Sequence, residues 1–368
     1  MPQAWQIVVN QTVEDSLRDV MDATIYKRLW SKMLGQRGRI KTGIDTSYEQ
    51  RFPVKYKRGQ SKSLAFNESI QFSPQDLYKW CTQDWKTWQE SDVMHLIEYE
   101  QIAKSEKTLV NRYKRIIPNL IEDLKDDIGM MIYSDSSSTP NEFDGLETAC
   151  GEGTCAAGDI IAQPSGTYLG QSTTLGACGG TWSTDQSTKP NSTVATDWPE
   201  GHGSAEYPWH APKLLNYSST GWGTGKTTWE SNCQRAIRRS ALWHRNTYGG
   251  EGTGKSAMLM LGTDLMAGFK NSLSASKMTL TPHKEAEELG FLDVLNYEGV
   301  GVYTEYGTPS GIGYMVDMDD LQLLFVTENM IKAKGPFEVP EGDYKWYAFF
   351  MGNIRFDPRR LTKFAAYA

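Results

Sequence analysis

The chain has 368 residues, 39% of them hydrophobic and 23% charged, with a net charge of −7. That is the composition of a globular protein long enough to bury a large core in one elaborate domain or two. A mean hydropathy of −0.52, with no apolar run approaching ~20 residues, gives no membrane span, and the acidic excess argues against a chain whose main task is to neutralise nucleic-acid phosphates.

The N-terminus MPQAWQIVVNQTVEDSL has no basic stretch followed by an apolar one, so no secretory signal is read. Five cysteines (Cys81, Cys150, Cys155, Cys178, Cys233) are odd in number and lack paired zinc spacing; they read as free thiols. The sequons at Asn10, Asn67, Asn191 and Asn216 matter only in a secreted protein.

Residues 12 to 34 open with a Thr12/Asp15 cap and place Val13, Leu17, Val20, Met21, Ile25, Leu29 and Met33 on one stripe, which predicts an amphipathic helix. Next, YEQRFPVKYKRGQSKSLAFNESIQF (48 to 72) reads as two strand-like arms around a basic tip. A hairpin of that length persists when its sides find a partner. LYKWCTQDWKTW (77 to 88) carries four large rings and predicts a strand or turn packed on a long element. That element follows: from Ile102 to Tyr133 apolar residues recur in steps of three and four, a helix of roughly 45 Å in which Pro118 should introduce a kink or a break.

From 134 to 228 Gly, Ser and Thr dominate, predicting extended irregular loops. Order then returns as a helix to about 245, a strand over 257 to 261, a helix from Thr263 through Leu273, and strands around DVLNYEGVGVYTEYG, the pattern of an α+β or α/β domain. The closing DYKWYAFFMGNIRFDPRRLTKFAAYA is an apolar strand expected to run back to the first part of the chain, making that domain discontinuous.

Two stretches invite a nucleotide reading. GGEGTGKS (249 to 256) fits the phosphate-loop pattern at every fixed position, but the chemistry needs a strand before the glycines and a helix after them. The flanks read helix first and strand second. TGWGTGKT (220 to 227) has better flanks, KLLNY before and a Thr227/Glu230 capping box after; there the first Gly is Thr220, and bulky Trp222 fills the loop. Asp317 is the one candidate acid for Mg²⁺. Elsewhere the histidines (His95, His202, His210, His244, His283) have no metal spacing, no G-x-S-x-G elbow occurs, and the acid pairs Asp126/Asp127 and Asp319/Asp320 read as solvated charge. A chain this long without an acid/base constellation favours a structural or binding role, with no cofactor. A phosphate-loop enzyme remains one alternative; a surface adhesin or decoration protein, resting on sequons, rings and Gly/Ser loops, is another.

The order of elements, with YSDSSS…FDGLE after the long helix, GTYLGQST, ELGFLDVLNYEGVGVYTEYGTP and FFMGNIRFDPRRLTKFA, resembles the major capsid protein of tailed double-stranded DNA bacteriophages, the Hong Kong-type capsid fold, over nearly the whole chain. The resemblance implies an α+β subunit of an icosahedral shell: residues 1–45 an N-terminal arm, 46–76 an extended hairpin loop, 77–144 with 329–368 a peripheral domain built on a spine helix, and 145–328 an axial α/β domain. It implies no enzymatic activity, self-association into pentamers and hexamers, a separate scaffolding protein, a portal protein, packaged DNA held without tight or sequence-specific binding, and residence in the virion after assembly in the host cytoplasm. Arg51, Lys55, Lys57, Arg58 and Lys62 of the extended loop would meet the next subunit. Members that cross-link Lys to Asn do so through this loop, but no motif here assigns partners. A cellular nanocompartment shell shares the fold.

Overall fold

The computed structural model describes residues 28–44, 49–55, 78–95, 106–155, 158–174, 210–247, 257–276, 281–291, 293–327, 330–338 and 343–367. Of the stripe expected over 12 to 34, the described part is helix α1 (Leu29–Gln36), which buries Leu29, Trp30, Met33 and Leu34; the remainder lies outside these residues.

A five-stranded sheet forms around β15 (Tyr344–Arg355). On one side β4 (Lys86–Met94) pairs antiparallel with it from Tyr344↔Met94 to Gly352↔Lys86. On the other side β14 (Lys332–Glu338) pairs with its first half and β13 (Gln322–Phe325) with its second, and β1 (Ile40–Lys41) adds to β13 in parallel. Strand periodicity sends Trp346, Ala348 and Phe350 to one face, where all three are buried. Helix α2 (Glu106–Met131) lies on that face with Ile116, Ile117, Leu120, Ile121, Leu124 and Ile128 buried. Pro118 does not break it: the helix runs through 26 residues. An interior proline costs about 3 kcal/mol, less than the burial of two or three of these aliphatic side chains at roughly 1.5–3 kcal/mol each.

A seven-stranded mixed sheet has the order β10 (Leu295–Tyr297), β11 (Val300–Thr304), β9 (Ala257–Leu261), β12 (Gly313–Asp317), β16 (Thr362–Ala365), β8 (Lys213–Asn216), β5 (Ile161–Ala162). Every residue of β8, β9, β12 and β16 is buried, as expected of a sheet covered on both faces. Met258 and Met260 of β9 point into the core shared with α2 and the other sheet; Leu259 and Leu261 point into a second core, with Trp229, Cys233 and Ile237 of α4 (Trp229–Thr247) and Leu265 and Phe269 of α5 (Thr263–Ala275). Leu242 of α4 is exposed, and Ala236 and Ala241 lie on the buried face.

In the Gly/Ser/Thr-rich middle, the described part holds short elements only: α3 (Leu146–Cys150) and the ribbon β6 (Thr167–Tyr168) and β7 (Gln171–Ser172); residues 175–209 lie outside. Sheet membership also crosses the boundary expected at 328/329. β13 joins the sheet of β15, while β16 lies between β12 and β8, so the last strands are shared between the two bodies.

Candidate functional site

The extended-loop region is a ribbon that belongs to neither large sheet. β2 (Glu49–Lys55) pairs antiparallel with β3 (Tyr78–Asp84), from Glu49↔Asp84 to Lys55↔Tyr78. Its second arm is thus the aromatic segment 78–84. The arm expected over 64–72 lies outside the described residues, as does the tip with Lys57, Arg58 and Lys62. Pro53 is tolerated because both strands of a two-stranded ribbon are edges. Of the basic residues assigned to this loop, Arg51 stands opposite Thr82 and is exposed, and Lys55 takes the register position opposite Tyr78.

Alternation divides β3. Cys81 and Gln83 are buried toward the body, whereas Tyr78 and Trp80 are 55% and 64% exposed. The segment was expected to pack on a long element, with no side assigned to each ring; the period-2 pattern Tyr78, Trp80, Thr82 against Cys81, Gln83 is the signal that separates them. Large exposed rings beside a basic strand on an isolated ribbon have the makings of an interface anchor.

Where the ribbon leaves the body, hydrogen bonds fix it. Buried Gln83 donates to the Ile354 carbonyl (2.7 Å), Thr82 N–H to the Leu169 carbonyl (3.1 Å) and Gln171 to the Trp80 carbonyl (3.1 Å). Fully buried Asn353 donates to the Asp84 carbonyl and to the Asp144 carboxylate, both at 2.8 Å, and accepts from the Asp144 N–H. Only Trp85 separates β3 from β4, so the chain passes directly from ribbon to sheet.

A second junction joins α1, α2 and the loop after β11. The Arg28 guanidinium donates to the Tyr306 carbonyl (2.7 Å), pairs with Glu305 (3.4 Å) and lies over the Tyr306 ring. It crosses α2 at Gly129, where a Cβ would fall 2.1 Å from the Arg28 Nε. Burial pushes the Glu305 carboxyl up to about 7, against the pull of Arg28.

Other candidate chemistry disperses. GGEGTGKS lies outside the described residues, between the end of helix α4 and the start of strand β9, the reverse of the order a phosphate loop needs. In TGWGTGKT the Trp222 ring is buried and its Nε1 donates to the Asn216 carbonyl (2.8 Å), so side chain fills the space a phosphate would take. The helix there opens at Trp229, one residue after Thr228. Asp317 is buried and accepts from the Asp319 N–H (2.9 Å), closing a turn. Burial depresses His244 to about 3 and Lys213 to about 8, and His210 sits against the Tyr168 carbonyl (2.8 Å). Among the described residues no group of three or more His, Cys, Asp or Glu is placed to hold a metal, and no helix is long and apolar enough to cross a membrane.

The same architecture occurs in solved phage shells. The capsid asymmetric unit of cyanophage A-1(L) matches 91% of this chain and 92% of that chain, at 13% identity and a TM-score of 0.54. The asymmetric unit of the mature capsid of bacteriophage PhiM1 matches 90% and 86%, at 9% identity and a TM-score of 0.50. No family model and no curated protein matches the sequence. The likeness is therefore one of fold: the chain has the Hong Kong-type fold of tailed-phage capsid subunits.

Proposed function

We propose that this chain is the structural subunit of an icosahedral phage shell, built from pentamers and hexamers of itself. Beyond the fold, the observation that carries the reading is the β2/β3 ribbon, which pairs with neither sheet and presents Trp80 and Tyr78 outward. A two-stranded ribbon is marginal alone in water, and a neighbouring copy supplies the missing contact. Arg51, Lys55, Lys57, Arg58 and Lys62 give that contact its charge, steering the approach of acidic surface on the next copy more than adding affinity. In this reading residues 46–76 form the loop that overlies the neighbour, residues 1–45 the arm, and the regions around β15 and β9 the peripheral and axial parts. A separate scaffolding protein guides assembly in the host cytoplasm, a portal occupies one vertex, and the acidic chain holds packaged DNA without adhering to it. The subunit performs no catalysis.

The test is electron microscopy of the expressed chain, with and without a co-expressed scaffold. Closed particles are expected from the intact chain, and a folded subunit without stable particles after residues 56–64 are replaced by a short turn. Normal particles from the shortened chain would reject the role given to the loop.

A further inference from the structure

Helix α4 buries one side and leaves the opposite side to solvent. Cys233, Ala236, Ile237 and Ala241 face the second core, while steps of three and four bring Arg235, Arg238, Leu242 and Arg245 into one line on the other side. Arg235, Arg238 and Leu242 are exposed and Arg245 is half-buried. The helix carries four arginines and one acid, Glu230, in a chain of net charge −7. Trp222 braces the start of the line: Arg235 donates to its carbonyl (3.0 Å), and the Arg239 guanidinium lies 6.0 Å from its ring and 5.3 Å from that of Trp243. Exposed Lys226 adds a further cation in the loop before the helix. Among the described residues the acid paired with the line is Glu298, in the turn between β10 and β11. Its carboxylate pairs with Arg238 at 3.0 Å, and its carbonyl accepts from Arg245.

We infer that this line of arginines holds the phosphate backbone of the packaged duplex, so that the outer side of α4 lines the interior of the shell; the inference rests on the shell reading. From Arg235 to Arg245 the helix covers about 15 Å, a length over which one DNA strand presents about four phosphates. Each guanidinium offers phosphate oxygens a planar, bidentate fork, which a lysine does not. The Arg238–Glu298 pair is no obstacle, because exposed pairs of this kind contribute little and a phosphate can take the place of the carboxylate. Contacts to phosphate carry no sequence information. They are also weak. Three of them give an affinity that falls about 100-fold between roughly 25 and 150 mM salt, so α4 orients the outermost DNA while the acidic remainder of the chain keeps it from adhering.

Two measurements on the full chain test this. Fluorescence anisotropy with a labelled, mixed-sequence duplex is expected to show binding whose log affinity falls against log salt with a slope of about −3 or steeper. The combined change Arg235→Ala, Arg238→Ala and Arg245→Ala should weaken binding at least tenfold at about 25 mM salt and reduce the slope by roughly 2.7, or 0.9 for each arginine, with an unchanged circular dichroism spectrum. Glu298→Gln, which frees Arg238 and removes a negative charge, should tighten binding about two- to threefold. In particles, hydroxyphenylglyoxal should modify the three arginines when the shell is empty and spare them when it is filled. An unchanged slope in the triple variant, or arginines equally reactive in filled and empty shells, would overturn the inference. So would competition by polyglutamate as effective as that by DNA, which would mark an acidic protein as the occupant, or arginines already unreactive in the free chain, which would mark the chain itself as the cover. Arginine-dependent DNA binding by a chain that forms no closed particles would uphold the phosphate contact while rejecting the shell reading.

Discussion

The seven-stranded sheet and the β2/β3 ribbon solve opposite problems. In the sheet, β9 sends Met258 and Met260 into one core and Leu259 and Leu261 into another, so the strand is covered on both faces by its own chain. In the ribbon, the inward side holds Cys81 and Gln83, and the outward side carries Trp80 at 64% exposure. One element is covered on both faces by its own chain and the other is not, which in the proposed shell separates what stabilises the subunit from what joins subunits.

The contrast can be broken most forcefully in a core. Phe350 packs against Phe143 at 5.5 Å and Phe325 at 6.2 Å, and Phe350→Ala should cost ~3–5 kcal/mol of subunit stability in urea unfolding. A loss under 1 kcal/mol would mean that this core is not the stabilising one.

Glu305 gives the next effect. Its carboxyl lies near 7 when folded against an ordinary 4.5, so between these values the folded chain holds a proton the unfolded chain has released. Stability should therefore rise as the pH falls from about 7 to 4.5 and be level outside that window. At ~1.4 kcal/mol per pKa unit, the difference between wild type and Glu305→Gln should change by on the order of 3 kcal/mol from pH 8 to pH 4.5. His244, depressed by burial, slopes the other way below 6.5 and cancels in the difference. A constant difference would remove Glu305 from the account.

Asn353→Ala strands the Asp84 carbonyl and Asp144 at the root of the ribbon and should cost ~1–3 kcal/mol. Hydrogen exchange should show early opening of 78–84 while β9 stays protected. The smallest stability change belongs to Trp80→Ala, within ~0.5 kcal/mol for an exposed side chain, and with it the sharpest divergence: particle yield should collapse although the melting temperature hardly moves.

Much of this was legible in the residues. The stripe of α2, the strand at 257 to 261, the helix after Thr263 and the return of the closing strand all follow from period 3.6 or period 2 in uninterrupted apolar runs. The misreadings arise where a distant partner decides. Pro118 reads as a kink or a break because local propensity cannot see the sheet against which the helix stays continuous. The ribbon's second arm was sought next to the first, whereas β2 pairs with residues beyond a 22-residue excursion, 56 to 77. The basic residues of the loop were visible as letters; the exposed rings beside them needed the strand register, and β16's place in the other sheet needed the whole topology.

That last placement has a consequence for biosynthesis. β15 is the middle strand of one sheet and β16 an inner strand of the other, and six residues, 356 to 361, connect them. The five-stranded sheet cannot close until residue 355 has left the ribosome, nor the seven-stranded one until residue 365 has. A copy that stops before residue 344 lacks the inner strands of both sheets, and in the proposed shell such a copy is barred from entering a growing particle as a defective tile.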